Sequence, residues 1–375
     1  MRLFVTIFEE TAQRALDAIR LIDADHDGVE IRAERFALYD FRAFRAATSK
    51  PIIFTRRGLA FDGALLANAI GTGIELVDVE FVPGLRLDDR FRSHVVLSHH
   101  DFDGMPDVEA LARHMLALGC AHLKIAVTPQ NFADNERLLQ LLSPALRAQG
   151  SALSVIGMGE RGLYSRILAP FKGSELQFVS RTEDRAAAPG QLSLHRAHEI
   201  YGAERGALRA DRVFAVVGNP AGHSRSPAIH NALFREKRVP AAYAIASIES
   251  FDQITGAFTR GEPCGLSVTV PFKLDAYRFA QSVKAEIGEN AKACEAANTL
   301  VNRGRGTGGR MVADNTDVDG FATILGQVCG RDRKSVAIVG AGGTARAALV
   351  AARRANMHVT VFNRTEGKGN ELAER

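Results

Sequence analysis

The sequence predicts an α/β protein whose first half is a (β/α)8 TIM barrel and whose second half is a separate α/β domain leading into a dinucleotide-binding fold. The first 180 residues contain eight short apolar runs that alternate with helical patterns, and the strand pattern restarts after a polar stretch near residue 204. A further strand runs into a glycine-rich turn near residue 340. Strands that alternate with helices favour a parallel sheet, and a count of eight favours its closure into a barrel.

The eight predicted barrel strands are short runs rich in β-branched and apolar residues. They lie near residues 2–8, 27–32, 51–56, 74–80, 93–98, 122–128, 151–156 and 175–179. Amphipathic patterns between them predict helices, among them 11–22, 108–118 and 132–146. An open doubly wound sheet is the alternative, but the even spacing of the units favours a closed barrel over residues 1–203.

The second half begins after a predicted linker at residues 204–211. Strand patterns follow near residues 213–217, 242–246, 265–270, 298–301 and 310–313, with a helix near 226–237 and a glycine-rich hairpin turn at 303–310. We predict a substrate-binding domain at 212–330 and an incomplete Rossmann domain at 331–375, with strands at 335–339 and 358–363. A complete fold of that kind uses about six strands. We therefore expect this chain to be part of a longer protein.

Composition narrows the class of protein. The chain has 375 residues, of which 46% are hydrophobic and 24% charged, and a net charge of +4 without a basic block. These values are typical of a soluble globular protein and do not indicate a nucleic-acid partner. No window holds the ~18 apolar residues that a membrane span needs. The four cysteines are far apart, and we expect reduced thiols in a cytoplasmic protein.

Polar residues cluster where the predicted barrel strands end, which is where barrel enzymes carry their reactive groups. A lysine, histidines and arginines in this position suit an anionic carbonyl substrate; the candidates are Glu30, Arg32, Arg57, His99, His100, Lys124, Arg166 and Gln191. Lys124 interrupts an apolar strand, where a lysine is costly unless it is used. A neutral lysine forms a Schiff base and an arginine cannot, and we expect neighbouring cations and burial to favour the neutral amine.

Seven short motifs of the first half resemble type I 3-dehydroquinate dehydratase, whose fold is the (β/α)8 barrel. In chain order they are Glu30-Ile31-Arg32, Phe54-Thr55-Arg56-Arg57, Val77-Asp78-Val79-Glu80, Ser98-His99-His100-Asp101-Phe102, Lys124-Ile125-Ala126-Val127, Gly162-Leu163-Tyr164-Ser165-Arg166 and Ala188-Pro189-Gly190-Gln191. Each motif alone is weak, but seven in the same order are a specific signal.

The resemblance implies a role for each of these side chains. Lys124 would form an imine with the ring ketone of 3-dehydroquinate, and His100 would remove the adjacent proton and return one to the leaving hydroxyl. Arg166 would bind the substrate carboxylate as a bidentate pair. The substrate hydroxyls and the geometry of the site would be held by Glu30, Arg32, Arg57 and Gln191.

Three positions depart from the family pattern. A glutamate that orients the histidine in the family is replaced by Phe61, unless Asp62 substitutes through a one-residue slip. The family usually has a serine just before the last motif, where this chain has Ala187. It usually has an aspartate two residues after the arginine of the first motif, where this chain has Glu34. A histidine without its carboxylate partner loses basicity and control of its tautomer. We expect slower dehydration than is usual in the family, and a non-catalytic or weakly active binding module is the alternative.

The second half resembles the substrate domain of shikimate dehydrogenase. The motifs are Ser224-Arg225-Ser226-Pro227, Ser267-Val268-Thr269-Val270-Pro271-Phe272-Lys273, Ala297-Asn298-Thr299 and Asp314-Asn315-Thr316-Asp317. The resemblance implies that Lys273 and Asp317 handle the proton that accompanies hydride transfer, while the substrate is bound by Ser224, Ser226, Thr269 and Asn298. An N-cap role for the two serines is the alternative. Ser267 replaces a longer asparagine, and quinate is the alternative substrate.

The cofactor signal is a glycine-rich turn between a strand and a helix. It comprises Gly340, Ala341, Gly342, Gly343, Thr344 and Ala345, which fit Gly-x-Gly-x-x-(Gly/Ala) in the expected context. The next strand ends in Asn363-Arg364-Thr365, where an arginine without a nearby acid favours NADP(H) over NAD. Because only two strands of this fold are present, we expect weak NADP(H) binding and little reductase activity from this chain alone.

Together the two resemblances predict consecutive steps of the shikimate pathway to aromatic amino acids. The first half would convert 3-dehydroquinate to 3-dehydroshikimate, and the second would reduce that product to shikimate with NADPH. We expect small-molecule substrates and no nucleic-acid or membrane partner, and homo-oligomerisation is left open. A metal enzyme built on His94, His99 and His100, or on His195 and His198, is disfavoured because no carboxylate or cysteine cluster has ligand spacing.

Overall fold

The structure is a computed structural model that describes residues 1–58, 62–147, 150–203, 205–304, 310–328 and 335–374. The predictions for Phe61 and for the middle of the turn at 303–310 therefore lie outside the described residues, as does Cys329. The chain divides into two compact units, Met1–Asp211 with Arg225–Ala244, and Arg212–Ser224 with Ile245–Arg375. The domain boundaries predicted from the sequence stay a prediction.

The first half forms the expected eight-stranded parallel α/β barrel. The strands are β1 (Arg2–Ile7), β2 (Gly28–Arg32), β3 (Ile52–Thr55), β4 (Leu76–Glu80), β5 (Val95–Asp101), β6 (His122–Val127), β7 (Ala152–Gly157) and β8 (Leu176–Ser180). Their order in the sheet is β7-β6-β5-β4-β3-β2-β1-β8, and the recorded pairings of neighbours are parallel. The predicted fold class is confirmed.

The join between β7 and β8 differs from the other joins of the barrel. One backbone hydrogen bond crosses it, from Glu175 N to Leu153 O at 3.1 Å. Two serine hydroxyls complete it: Leu176 N donates to Ser154 Oγ at 2.9 Å and Val155 N donates to Ser174 Oγ at 3.2 Å. The barrel is thus nearly closed, and side chains satisfy backbone groups where the strand ladder is interrupted.

Strand alternation divides the barrel residues between its interior and the helical layer. Apolar side chains fill much of the interior, namely Phe4, Ile53, Leu76, Val96, Ala126, Ile156, Leu176 and Phe178. The same face of the strands also carries polar groups: Asp78 and Ser98 lie two residues after Leu76 and Val96, and Lys124 lies two residues before Ala126. These three side chains and Glu30 of β2 are buried.

The barrel helices are α1 (Ala12–Arg20), α2 (Phe41–Ala47), α3 (Gly63–Gly71), α4 (Val108–Leu116), α5 (Phe132–Gln140), α6 (Pro144–Arg147), α7 (Leu163–Leu168) and α8 (Leu194–Tyr201). Six of them, α1–α5 and α8, begin at polar N-cap residues whose side chains accept a backbone hydrogen bond. The prediction of a single helix over 132–146 is wrong, because this segment forms two helices, α5 and α6. Pro144 begins α6, and a proline cannot continue a preceding helix without losing a hydrogen bond.

The segment predicted as a linker is anchored to the barrel by Arg205. Its side chain is 6% exposed and donates to Asp25 Oδ2 at 2.9 Å and to Asp27 Oδ2 at 3.1 Å. Asp27 Oδ2 also accepts from Leu3 N at 2.7 Å, at the start of β1. Arg205 therefore fixes the chain leaving α8 to the loop before β2.

The second half contains a mixed sheet of six strands in the order β10-β9-β11-β13-β14-β12. The strands are β9 (Arg212–Gly218), β10 (Ala241–Ser247), β11 (Gly265–Val268), β12 (Glu286–Ile287), β13 (Thr299–Asn302) and β14 (Met311–Asp314). The helices are α9 (Ser226–Glu236), α10 (Asp252–Arg260), α11 (Lys273–Ser282), α12 (Glu289–Cys294) and α13 (Asp317–Val328). β11 is parallel to β9 and antiparallel to β13, as expected of an α/β domain with a mixed sheet.

The glycine-rich turn lies in a small parallel unit at the end of the chain. It comprises β15 (Ser335–Val339), α14 (Gly343–Arg354), β16 (His358–Phe362) and α15 (Glu366–Glu374). Ala347 and Ala351 of α14 pack in one apolar cluster with Cys294, Ala296 and Val318. Small residues thus allow α14 to pack closely against the neighbouring helices α12 and α13.

The helices and the cysteine thiols bear on the expected class of protein. Across the described ranges, none of the helices combines the length and the hydropathy that a membrane crossing requires. Three of the cysteines are free thiols, with Cys120 and Cys294 buried and Cys264 half-buried. The thiols expected to be reduced are therefore unpaired at these three positions.

Candidate active sites

The amino group of Lys124 lies inside the barrel, with 3% of the side chain exposed. Its Nζ donates to Asp78 Oδ2 at 2.8 Å and to Glu30 Oε1 at 3.2 Å, and lies 4.1 Å from the centroid of the Phe178 ring. The expectation that cations surround this amine is wrong, because carboxylates from β2 and β4 contact it directly. These carboxylates compensate the charge of the buried nitrogen.

The two carboxylates remain ionised although they are buried. Burial raises the pKa of a carboxyl group and is the largest single influence on both, but the charge of Lys124, together with that of Arg57 and other neighbouring groups, outweighs it and lowers the pKa of Glu30 and of Asp78. Asp78 was not among the predicted site residues. The signal that could have identified it is the Asp-x-Glu spacing of the fourth strand, because alternate residues of a strand point to the same face.

Glu30 is held by hydroxyl groups from both neighbouring strands. Thr6 Oγ1 donates to Glu30 Oε2 at 2.8 Å, and Thr55 Oγ1 donates to Glu30 Oε1 at 3.1 Å. Gln191 Nε2 donates to Thr6 Oγ1 at 3.1 Å, while its Oε1 accepts from Ala187 N at 2.7 Å. The predicted residue Gln191 is thereby connected through Thr6 and Glu30 to the lysine.

The imidazole of His100 has a carboxylate partner, contrary to expectation. His100 Nδ1 lies 2.7 Å from Glu80 Oε2, and the backbone N of His100 donates to Glu80 Oε1 at 2.8 Å. The alternative partner, Asp62, instead caps α3 by accepting from Ala64 N at 2.9 Å. The prediction that His100 lacks a carboxylate partner is therefore wrong, because the partner comes from the end of β4 and not from the segment around Asp62.

Burial makes His100 a neutral side chain at neutral pH. It lowers the pKa of His100 to about 3, and the hydrogen bond to Glu80 opposes this shift only in part. The positive charges of Lys124 and Arg57 act in the same direction as burial. With Nδ1–H donating to Glu80, the lone pair is at Nε2, a buried atom without a hydrogen-bond partner in the described part of the chain. Nε2 is thus able to accept a proton.

The predicted arginines Arg32 and Arg57 lie at the carboxyl ends of β2 and β3. The guanidinium carbon of Arg57 is 5.6 Å from the centroid of the Phe102 ring, and burial lowers the pKa of Arg57. Arg32 Nε donates to Glu34 Oε1 at 2.7 Å. Burial lowers the pKa of Arg32, but the neighbouring carboxylates outweigh it and raise that pKa above its ordinary value. Glu34, noted as a departure from the family, thus serves as the partner of Arg32.

Arg166 is a buried cation without a carboxylate among its recorded contacts. Its Nε donates to the backbone oxygen of Gly157 at 2.9 Å, and burial lowers the pKa of Arg166 to about 10. The hydrogen bonds around Lys124 do not include it. A buried guanidinium loses hydration energy that an anion can restore. Arg166 is therefore suited to bind an anionic group that enters the barrel.

A second polar cluster joins Lys273 and Asp317 in the second half. Lys273 Nζ donates to Asp317 Oδ2 at 2.6 Å and to Thr344 Oγ1 at 2.7 Å. Asn298 Nδ2 donates to Asp317 Oδ1 at 2.9 Å. Lys273 is 8% exposed, so these hydrogen-bond partners take the place of water around its amino group. The structure brings together the predicted residues Lys273, Asp317, Asn298 and Thr344.

The other predicted substrate residues of the second half lie outside these hydrogen bonds. The Thr269 amide donates to Val217 O at 2.8 Å, next to the end of β11. The Ser224 amide donates to Ala221 O at 3.0 Å. Helix α9 begins at Ser226, and its N-cap residue is Arg225, which makes no side-chain cap. Neither serine is the N-cap residue, so that alternative is wrong.

The glycine-rich turn has the geometry that an anion-binding helix start requires. Gly340 has φ +112°, a conformation that favours glycine. Gly342 precedes α14 as an N-cap without a side-chain hydrogen bond, so the first N–H groups of the helix are left for other partners. A Cβ at Gly343 would lie 2.7 Å from Lys273 Cβ, so only glycine allows this close approach. These residues fit a pyrophosphate group.

A cavity of about 920 Å³ adjoins this turn. It is lined by Gly340–Ala345, Lys273 and α13 residues, and its other cations are Arg278, Arg346 and Lys368. The predicted residues Asn363, Arg364 and Thr365 follow β16; Asn363 Nδ2 donates to Thr365 O at 2.6 Å, and Arg364 is exposed. They do not line the cavity.

The histidines considered as metal ligands have other contacts. His94 Nδ1 lies 3.0 Å from Glu75 O, and His198 Nε2 lies 2.6 Å from Asp25 O. His195 Nε2 lies 3.4 Å from Glu199 Oε1. Within the described ranges, no three His, Cys, Asp or Glu side chains are grouped as a metal site.

Comparison with family models identifies two segments of the chain. Residues 3–207 match the model described as type I 3-dehydroquinase. Residues 216–300 match the model described as shikimate dehydrogenase substrate binding domain. The first match covers more than half of the chain and includes all eight barrel strands except the first residue of β1.

Relatives with both segments are similar along most of this chain. A bifunctional 3-dehydroquinate dehydratase/shikimate dehydrogenase of Arabidopsis thaliana, described as chloroplastic, is 28% identical over 386 residues, 93% of this chain and 62% of the relative. A pentafunctional AROM polypeptide of Eremothecium gossypii is 30% identical over 97% of this chain and 24% of its own length. The chain thus spans less than two thirds of these relatives.

Among solved structures, one similar chain contains the dehydroquinate dehydratase and shikimate dehydrogenase of S. pombe AroM. It is 24% identical, with a TM-score of 0.45. The match covers 100% of this chain and 76% of that one.

Proposed function

Because the chain belongs to the type I 3-dehydroquinase family, we propose that its barrel converts 3-dehydroquinate to 3-dehydroshikimate through a Schiff base at Lys124. The observation that carries this proposal is the buried amine of Lys124, held by Asp78 and Glu30, in the same interior as the His100–Glu80 pair. A lysine amine with proton acceptors in contact and a neutral imidazole nearby is suited to imine chemistry.

The carboxylates on Lys124 support two stages of this reaction. The amine must lose a proton before it attacks the ketone, and Asp78 Oδ2 at 2.8 Å is a direct acceptor. The nitrogen is positive again in the protonated imine, and the ionised carboxylates then stabilise that charge. The positive nitrogen withdraws electrons and acidifies the neighbouring C–H bond. Lys124 therefore needs acidic neighbours rather than the cationic ones expected from the sequence.

His100 is proposed to move the proton. Its Nε2 lone pair accepts the proton from the carbon next to the iminium, and the imidazolium formed then protonates the leaving hydroxyl, which departs as water. Glu80 at 2.7 Å fixes the tautomer and stabilises the imidazolium. Glu80 thereby takes the role for which the sequence offered only Phe61 or Asp62.

The cations of the barrel are proposed to bind the substrate carboxylate and hydroxyls. Arg166 is assigned to the carboxylate, because its buried guanidinium has capacity for an anion. Arg57 and Arg32, with Gln191 and Glu30, are assigned to the hydroxyls. These assignments are supported by their burial around one interior, and they fit an anionic polyhydroxylated ketone.

For the second half we propose reduction of 3-dehydroshikimate to shikimate, with NADP(H) as cofactor. Lys273 Nζ and Asp317 Oδ2, in contact at 2.6 Å, would give a proton to, or take it from, the oxygen of the reacting carbon. Asn298 orients Asp317. The glycine-rich turn with α14 would hold the pyrophosphate, and NADPH supplies a hydride when bound. The preference for NADP(H) rests on Arg364.

The extent and location of the reductase half stay proposals. We propose a substrate-binding domain at 212–330 with Ser224, Ser226 and Thr269 as further binding residues, followed by a dinucleotide-binding segment at 331–375. A cytoplasmic location also stays a proposal, since the Arabidopsis relative is described as chloroplastic.

The proposed dehydratase is tested by turnover of 3-dehydroquinate, followed through the ultraviolet absorbance of the conjugated enone that dehydration creates. The wild-type chain is expected to produce this signal, Lys124→Ala to lose it, and Lys172→Ala to retain it as a lysine control. Binding of 3-dehydroquinate by the wild type without turnover would contradict the proposal and favour a binding module.

A further inference from the structure

The hydroxyl group of Ser98 lies between the carboxylates of Asp78 and Glu80 in the barrel site. Ser98 is on β5 and is fully buried. Its Oγ lies 2.5 Å from Asp78 Oδ1 and 3.3 Å from Glu80 Oε2. No role was predicted for this residue, and the function proposed above does not use it.

Ser98 completes a continuous line of polar contacts from the lysine to the histidine. The other oxygen of Asp78 accepts from Lys124 Nζ, and the same oxygen of Glu80 that faces Ser98 lies against His100 Nδ1. A hydroxyl carries a single hydrogen and can donate it to one acceptor at a time. The shorter distance assigns that hydrogen to Asp78, which leaves the Glu80 carboxylate to His100.

We propose that Ser98 is a positioning residue that keeps Asp78 ionised and fixed against the nitrogen of Lys124, so that the nitrogen remains positive while His100 removes the substrate proton. This inference rests on the proposed dehydratase function. In this proposal Ser98 affects the reaction by holding Asp78, and it does not contact the substrate.

The carboxylate of Asp78 and an imine nitrogen at Lys124 compete for one proton. A hydrogen bond donated to a carboxylate favours its charged form. Without the Ser98 hydroxyl, Asp78 would bind a proton more strongly and would take it from the protonated imine at Lys124. A neutral imine is a weaker electron acceptor, so the neighbouring C–H bond would be less acidic. The imine would still form, but the step that consumes it would slow.

The charged groups around Asp78 determine how its protonation contributes to the dependence of kcat on pH. Burial is the largest influence on the pKa of Asp78 and raises it, but the charge of Lys124, the hydrogen bonds from Lys124 and Ser98 and the charge of Arg57 together lower it below its ordinary value. The titratable and charged groups around it come from the neighbouring strands and the loop after β3: Glu30, Arg32, Arg57, Glu80, His100 and Lys124. Removal of the Ser98 hydroxyl leaves all of these groups in the chain.

The experiment compares wild type with Ser98→Ala and Ser98→Cys, using 3-dehydroquinate. Three quantities are measured: kcat against pH, KM, and the fraction of Lys124 trapped by borohydride during turnover. Ser154→Ala is the matched control, because Ser154 is also a buried barrel serine but its hydroxyl bonds to Leu176 N. Thermal unfolding confirms that each variant is folded at the assay temperature.

Ser98→Ala is expected to lower kcat about tenfold with KM within about twofold, and to move the acid limb of kcat upward by about one pH unit. The trapped fraction on Lys124 should stay equal or rise. Ser98→Cys, a weaker donor of similar volume, should lie between alanine and wild type. Ser154→Ala should leave the acid limb in place.

Two results would overturn the inference. One is a Ser98→Ala variant with an unchanged acid limb and kcat. The other is a parallel loss of trapped imine and kcat, which would mean that Ser98 maintains the position of Lys124 rather than the charge on its nitrogen. Absence of trapping in the wild type would instead contradict the proposed dehydratase itself, so the two failures are distinguishable.

Discussion

At the scale of single residues, the barrel site depends on pairing each reactive group with a carboxylate. Lys124 contacts Asp78 and Glu30, and His100 contacts Glu80. The pairing with Glu80 is made through both oxygens, one to the ring and one to the backbone. Because both contacts come from one side chain, Glu80 fixes the orientation as well as the tautomer of His100.

The role of Glu80 can be tested with Glu80→Gln, which keeps its shape and removes its charge. We expect kcat to fall about 100-fold, in the range that general acid–base catalysis contributes, because the imidazolium loses its anionic partner. Trapping of Lys124 should persist. Glu109→Gln, an exposed glutamate of α4, is the control and should retain full kcat. An unchanged kcat for Glu80→Gln would exclude Glu80 as the partner that supports catalysis.

The sequence predicted the reactive residues better than their partners. Lys124 could be identified because a lysine in an apolar strand is unusual, whereas His100 was distinguished from His99 only by the family resemblance. Asp78, Glu80 and Ser98 are polar residues in strands too, but their contacts depend on the register between neighbouring strands. That register places Ser98 opposite Lys124 and Glu80 opposite Ser98, and it cannot be obtained from any one strand.

At the scale of elements, the eight strands were predictable because each is a short apolar run bounded by polar loops. The division of one predicted helix into α5 and α6 shows the limit of periodicity, since Pro144 decides the break. The join between β7 and β8 was also outside what a strand pattern can predict. It depends on Ser154 and Ser174, whose hydroxyls replace ladder hydrogen bonds.

Removal of one of these hydroxyls should weaken the barrel. In Ser154→Ala the amide of Leu176 loses its acceptor in a buried site, and we expect the free energy of unfolding to fall by about 1–3 kcal/mol. Urea denaturation followed by circular dichroism measures this change. Ser49→Ala, at an exposed position, should alter it by less than about 0.5 kcal/mol. Equal stabilities of the two variants would show that the hydroxyl does not support the join.

At the scale of the whole molecule, buried ionisable groups make stability depend on pH. The pKa of His100 is 6.5 in an ordinary environment and about 3 in the folded protein. The unfolded chain therefore binds more protons than the folded protein between these values. The contribution of His100 to stability is complete above pH 6.5 and is lost as the pH falls toward 3. Glu30 and Asp78, whose pKa values are lowered, act in the same direction at lower pH.

A comparison of wild type with His100→Gln isolates the histidine. Between about pH 5.5 and 4, the free energy of unfolding of the wild type should fall by up to about 1.4 kcal/mol per pH unit more than that of the variant. Urea titrations of the barrel transition at several pH values give this slope. Parallel pH dependences of the two proteins would contradict the burial of a neutral imidazole.

The proposed activity depends most directly on a covalent bond between Lys124 and the substrate. Borohydride added to wild-type protein and 3-dehydroquinate, followed by mass spectrometry of the peptides, detects this bond as a reduced adduct. We predict an adduct on the peptide that contains Lys124 and none in Lys124→Ala treated identically. No adduct in the wild type, or an adduct that persists on another lysine in Lys124→Ala, would contradict the account.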